Sequence, residues 1–130
     1  MKSGTDHRRE ALREIEGCVC KDRQNSYGGA EDNFATIAGF WTIYLHRRGL
    51  LPAGCALKSY DVAALSSLIK LARVAHNPTH RDSWVDTGGY AVCGAGIIAM
   101  AKENADQDVV AEVDKVELTQ TERTELPHFR

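Results

Sequence analysis

Asn77-Pro78-Thr79-His80-Arg81-Asp82-Ser83-Trp84-Val85-Asp86-Thr87-Gly88-Gly89-Tyr90 is the stretch on which the reading of this chain turns. Asn-Pro biases the backbone away from the right-handed helical region and marks a boundary. Thr79-x-x-Asp82 then has the spacing of a helix-start box, so the sequence predicts a helix from about Thr79. On such a helix Asp82 and Asp86 lie one turn apart on one face. Two like charges at that spacing repel by a few tenths of a kcal/mol, so they do not hold the helix together. Beside His80 and Arg81, paired carboxylates suit a hard divalent cation and the phosphates it carries. The plainer reading is that Asp82 favours the positive end of the helix and Asp86 is solvated.

Outward from that stretch, periodicity gives three more helices. The first runs from Thr5 to about Arg23, with Asp6 as a fair cap and Ala11, Leu12, Ile15 and Val19 as its apolar stripe. Gln24 to Ala30, with two glycines, breaks it. A second helix, about Asp32 to Arg47, carries Phe34, Ile37, Ala38, Trp41 and Leu45 on one face and Phe40, Ile43 and Tyr44 on another. Gly49 and Pro52 stop it. The third, about Tyr60 to His76 and capped by Ser59, is expected to bury Val62, Leu65, Leu68, Ile69 and Ala72. The fourth continues from the opening stretch to about Asn104. Its glycines weaken a helix by roughly 1 kcal/mol each, which implies close approach of a neighbour. Residues 1–104 are therefore expected to form a helical domain, and 105–130 a short helix or arm with a loose tail after Gln120.

Composition supports one globular domain with a real core: 130 residues, 43% hydrophobic. A net charge of -2 gives no reason to expect duplex nucleic acid as a partner. No apolar run reaches membrane-spanning length and the first ten residues lack a signal-like core, so no membrane and a cytoplasmic location are expected. Cys18, Cys20, Cys55 and Cys93 follow no metal-knuckle or redox spacing and read as reduced thiols.

Four helices with shortish loops favour an antiparallel, up-down-up-down bundle. That topology gathers Arg23, Tyr27, Glu31, Asp32, Asn33, Lys70, Arg73, His76, His80, Arg81, Asp82 and Asp86 at one end. Carboxylates there can hold Mg²⁺ or Mn²⁺, while Lys and Arg take the charge of phosphates. Trp41 and Trp84 can offer a face to a base or fill the core. The alternative is a structural ion-pair network. The second apolar stripe of helix two would be wet in a monomer, which points to a homodimer or homotetramer; a central position for that helix is the alternative.

The residues Tyr27-Gly28, Asn33-Phe34, Ile37-Ala38, Trp41-x-x-Tyr44-Leu45, Asp61-Val62-Ala63, Leu68-x-Lys70-x-Ala72-Arg73, His80 to Asp86 and Gly89-Tyr90-Ala91 carry a further signal. Over roughly residues 22 to 100 the chain resembles a small phage-borne domain related to the MazG-like all-α nucleotide pyrophosphohydrolases. The resemblance implies hydrolysis of a nucleoside triphosphate to monophosphate and pyrophosphate with Mg²⁺ or Mn²⁺, with dGTP or another purine nucleotide among the substrates of such phage enzymes. Asp82-x-x-x-Asp86 looks like the family's second acidic element, with aspartates and a wider gap. The first element, EExxE, is not matched: helix two opens Glu31-Asp32-Asn33 and has no later acid on that face. The expected roles are then Asp82, Asp86 and Glu31 or Asp32 on the metal, and Lys70, Arg73 and His80 on the triphosphate. Asn33, Tyr27, Trp41 and Arg81 would serve the nucleotide. A non-catalytic oligomeric protein that binds a nucleotide or a host protein is the rival reading.

Overall fold

The computed structural model describes the backbone of residues 1–21 and 30–124. The described residues are all helical: α1 (Gly4–Glu16), running on as a π-helical stretch (Gly17–Lys21), then α2 (Ala30–Arg47), α3 (Ser59–His76) and α4 (Arg81–Thr124). The fold is all-α, as expected. The chain divides into two units, Met1–Ile97 and Ile98–Arg130.

Each helix start differs in detail from the sequence expectation. On α1 the cap is Ser3, not Asp6: Ser3 Oγ accepts from Asp6 N–H, and Asp6 Oδ2 accepts from Ser3 N–H at 2.9 Å. Asp6 is thus the third-residue partner of a capping box. Ser3 Oγ–H also donates to Asp6 Oδ2 at 2.7 Å, and this side-chain bond first, with the Ser3 N–H bond second, holds the Asp6 carboxyl below its ordinary range. On α3 the flanking residue is Lys58, one before the expected Ser59, and Asp61 Oδ2 accepts from Lys58 N–H at 2.7 Å. On α4 the Thr79 box does not form. Asn77 Oδ1 takes both the Thr79 N–H and its hydroxyl in a local turn, so the helix begins at Arg81 behind His80.

α2 ends as the sequence predicts. Gly49 adopts φ 69°, a left-handed conformation that suits glycine, and Leu50 N–H bonds back to Leu45 O. The following loop is pinned to the helix: Thr42 Oγ1 accepts from Leu57 N–H at 2.9 Å, and His46 Nε2 lies 2.8 Å from Cys55 O.

The core of the first unit lies between α2, α3 and α4. Phe34, Ala38, Val62, Ala63 and Ile97 are buried in one cluster, with Ile37, Trp41, Leu57, Tyr90 and Cys93 packed on it. The first apolar face of α2 is therefore inward, and Phe40, Ile43 and Tyr44 are exposed. On α3 the expected buried face is corrected. Val62 is buried, but its companions are Ala63 and Val74; Leu65, Leu68, Ile69 and Ala72 are exposed. α3 is apolar around most of its circumference, so periodicity alone could not choose a side. Small residues choose it: a Cβ on Gly94 of α4 would lie 3.5 Å from Ala63 Cβ, and only a face of small side chains lets the two axes come that close.

α1 lies along the first turns of α4. Glu14 reaches Arg81, a Cβ on Gly88 would come 2.6 Å from Ile15 Cδ1, and one on Gly89 would lie 3.4 Å from Val19 Cγ2. These contacts advance in the same sense along both helices, whereas Ala63–Gly94 and Lys70–Asp86 advance in opposite senses along α3 and α4. The glycines at 88, 89 and 94 thus serve the close approach that their presence in a helix implied.

In the second unit α4 continues well past the expected end near Asn104, to Thr124. The reason is the absence of a stop signal: from Ile97 to Leu126 there is neither Gly nor Pro, and Ala, Glu, Lys and Gln favour helix.

Candidate functional site

The last two turns of α3 and the first two of α4 form a corner joined by residues 77–80. An open groove there is lined by Ala72, Arg73, His76, Asn77 and His80. Two of the expected triphosphate ligands, Arg73 and His80, therefore line one concavity, with His76 and Asn77 between them.

One turn further into the bundle, Lys70 Nζ lies 2.8 Å from Asp86 Oδ2 across α3 and α4. The Lys70 side chain is only 18% exposed, against 36% for Asp86. A lysine held that far from water needs a counter-charge, and Asp86 supplies it. Asp82, one turn earlier on the same helix face, is exposed.

His80 is fixed from below. Its Nδ1 shares a 2.8 Å hydrogen bond with Ser83 Oγ, and Ser83 is 1% exposed. His80 precedes the helix and Ser83 is its third residue, so this pair also closes the start of α4. That bond occupies Nδ1 and leaves Nε2 as the ring nitrogen free to meet a ligand. Ser83 was not singled out by the sequence reading, although His80-x-x-Ser83 has capping spacing. Trp84 is 53% exposed and donates from Nε1 to Pro78 O at 2.8 Å, which braces the same turn.

Arg81 is placed differently from the expectation. Its Nε and Nη2 both donate to Glu14 Oε1, at 3.2 and 2.6 Å. The hydrogen bond and charge of Glu14 hold the guanidinium further up than usual. Arg81 thus ties α4 to α1 instead of standing free for a nucleotide. Glu14, seven residues before the end of the described π turn, had no sequence signal beyond being a charge on a helix.

Trp41, considered for a base, is half-buried against the core cluster. Asn33 is exposed on the first turn of α2. The Phe34 and Tyr90 rings lie 6.3 Å apart, which sets Phe34 of α2 beside α4. Tyr27 and Arg23 lie outside the described residues, as do the side chains of Glu31 and Asp32.

For the expected Mg²⁺ or Mn²⁺, the described residues supply two carboxylates, Asp82 and Asp86. Among the described residues no group of three His, Cys, Asp or Glu converges. This set is too small for a resident, all-protein cage. It fits a hydrated ion that arrives with phosphate oxygens, since Mg²⁺ commonly uses one or two carboxylates and keeps several waters. Cys18, Cys20 and Cys55 are exposed, Cys93 is half-buried against the core cluster, and no disulfide joins any two of them. No helix among the described residues is long and apolar enough to cross a membrane.

Residues 10–98 match a family described as a domain of unknown function, DUF6378. The chain belongs to that family. It is similar to the Gene 55 protein of Mycobacterium phage D29, 33% identical over 106 residues that cover 80% of this chain and 65% of the relative. It is also similar to the Gene 55 protein of Mycobacterium phage L5, 35% identical over 80 residues, 62% of this chain and 47% of that one. The chain thus spans between about half and two thirds of the length of these curated relatives. No solved structure matches it.

Proposed function

We propose that this member of the DUF6378 family binds a nucleoside triphosphate at the α3–α4 corner and hydrolyses it to the monophosphate and pyrophosphate. The observation that carries the reading is the half-buried Lys70–Asp86 pair, with Asp82 one helical turn away and Arg73 and His80 on the adjoining groove. A purely structural ion pair does not need a second carboxylate on the same face, nor an arginine and two histidines around an open concavity. The resemblance to MazG-like pyrophosphohydrolases supports the same assignment on the matching motifs.

In this reading Asp82 and Asp86 hold Mg²⁺ or Mn²⁺ together with the phosphates, and Glu31 or Asp32 completes the set. When bound, the metal polarises a phosphate and lowers the pKa of the attacking water. Lys70, whose present counter-charge is Asp86, would pair with a phosphate oxygen if that carboxylate held a metal. The Arg73 guanidinium takes charge that builds on the phosphates. His80, with Nδ1 held by Ser83, presents Nε2 to the same groove. A purine deoxynucleotide such as dGTP is the first substrate to try.

The small described acid set favours a second reading, in which the corner binds a nucleotide without turnover. Pyrophosphate release from a panel of deoxynucleoside triphosphates with Mn²⁺ separates the two. Release that Asp86→Asn abolishes supports hydrolysis. Calorimetric binding without release selects the second reading, and neither binding nor release refutes both.

A further inference from the structure

The hydrogen-bonding atoms along the groove between the end of α3 and the start of α4 can be accounted for one by one. The groove is lined by Ala72, Arg73, His76, Asn77 and His80, with no carboxylate among them. Arg73 makes no ion pair among the described residues, and a guanidinium can only donate. Asn77 spends its acceptor inside the chain: Oδ1 takes the Thr79 N–H at 3.3 Å and the Thr79 hydroxyl at 2.9 Å. A backbone N–H can only donate, so the amide atom that meets it is the oxygen. The NH₂ end of Asn77 is what remains for the groove.

His80 is settled by the same accounting. The Ser83 side chain is fully buried, and its hydroxyl has one partner among the described residues, His80 Nδ1 at 2.8 Å. A hydroxyl carries one hydrogen. If Nδ1 bore the ring proton, that hydroxyl hydrogen would be buried with no acceptor, which is the costly way to leave a polar group. With Ser83 Oγ–H donating to Nδ1, every buried atom of the pair is satisfied. The proton of the neutral ring is then on Nε2, the nitrogen left for the groove.

We infer that Arg73, Asn77 Nδ2 and His80 Nε2–H form a donor-only seat for a phosphoryl group whose free oxygens only accept, the terminal part of a triphosphate or the pyrophosphate split from it. Ser83 is the positioning residue that keeps the proton on His80 Nε2. Sugar hydroxyls and base amines, which must also donate, would find no acceptor on Arg73, Asn77 or His80. His76 can turn either ring nitrogen to the groove and does not alter that choice. In this seat His80 stabilises charge on a phosphate oxygen and takes no proton from the attacking water, since its Nε2 is already protonated. The inference rests on the reading of the corner as a phosphate site, but not on turnover there.

Nuclear magnetic resonance of the ¹⁵N-labelled full chain tests it, at about pH 8 so that a histidine of ordinary pKa is neutral. Long-range ¹H–¹⁵N correlation should show His80 with its proton on Nε2, and Ser83→Ala should let both tautomers appear while helical circular dichroism is retained. Inorganic pyrophosphate, titrated without divalent metal, is the probe and should move the His80 ring and Asn77 NH₂ signals. Asn77→Asp keeps the oxygen that holds the Thr79 turn, yet it should weaken pyrophosphate at least about tenfold, as should His80→Phe. His80→Gln, which restores an N–H donor without a titratable ring, should recover most of the loss. A nucleoside triphosphate should displace pyrophosphate, and a monophosphate should not. The proton found on Nδ1, no pyrophosphate binding, or unchanged binding by Asn77→Asp overturns the inference; so does a triphosphate that binds without displacing pyrophosphate. If Ser83→Ala does not fold, the wild-type tautomer still decides. Pyrophosphate binding by a chain that releases none from triphosphates counts against hydrolysis alone and supports the seat.

Discussion

Gly88 offers a sharp test of the packing between α1 and α4. A Cβ placed on it would lie 2.6 Å from Ile15 Cδ1 and 3.5 Å from Ile15 Cγ1. The first distance is far inside van der Waals contact, and the second is ordinary contact. Gly88→Ala therefore has two opposed effects. Alanine in a helix interior is favoured over glycine by about 1 kcal/mol. Forcing a methyl group onto Ile15 costs about 2 kcal/mol, in the middle of the range for overpacking, because the isoleucine must leave its rotamer. The balance is a loss of about 1 kcal/mol. Ile15→Val removes Cδ1 and by itself costs about 0.5–1 kcal/mol, at the low end because the residue is half-buried. In that background the clash is gone, and Gly88→Ala should become stabilising by about 1 kcal/mol. The sign reversal corresponds to a coupling of about 2 kcal/mol between the positions, well above the additivity error of distant sites. Gly96→Ala in the same helix is the control: nothing lies within 4 Å of its added Cβ, so it should stabilise by about 1 kcal/mol in both backgrounds. Urea unfolding followed by circular dichroism, at one fixed protein concentration, reads all of these. If Gly88→Ala stabilises the wild-type chain as much as Gly96→Ala does, α1 does not pack on α4 through Ile15.

The remaining expectations concern the corner and the α1 cap. Asp86→Asn should destabilise by about 1 kcal/mol or more, because it leaves the half-buried Lys70 ammonium without its counter-charge; Lys70→Met, which removes the charge altogether, should cost less. If the order is reversed in urea titrations, the pair does not carry the energetic role given to it. Arg73→Ala should lower the rate of pyrophosphate release by on the order of 10²–10³ if the groove holds the triphosphate, and an unchanged rate removes Arg73 from the site. The Asp6 carboxyl is depressed by its two Ser3 hydrogen bonds, so its contribution to α1 is complete above the ordinary value of 3.8. That contribution is lost as the pH falls below 3.8 through the lowered folded value. Amide exchange in the first turn of α1 should speed up in that acid window; Ser3→Ala, which keeps the backbone N–H bond, should shrink the step, and Asp6→Asn should remove it, so a step that survives Asp6→Asn belongs to another group.

Local chemistry made much of this chain legible. The i, i+3, i+4 pattern of Phe34, Ile37, Ala38, Trp41 and Leu45 was enough to place α2 and to mark one buried face. The second stripe, Phe40, Ile43 and Tyr44, left open whether the helix was central, and the structure leaves that stripe exposed. Gly49 marked the end of α2 since a left-handed residue was needed there. The one-turn spacing of Asp82 and Asp86 followed from helix geometry alone, wherever the helix began. What depended on a partner in space could not be read in the same way. α3 offers apolar residues all round, and the inward side was decided by Ala63 meeting Gly94 and Lys70 meeting Asp86, pairs separated by 31 and 16 residues in the chain. Arg81 looked free for a phosphate until the fold brought Glu14, 67 positions away, to within 2.6 Å of it. Periodicity is a property of one helix. Which side of that helix loses its water is a property of its neighbours, and only the tertiary structure supplies them.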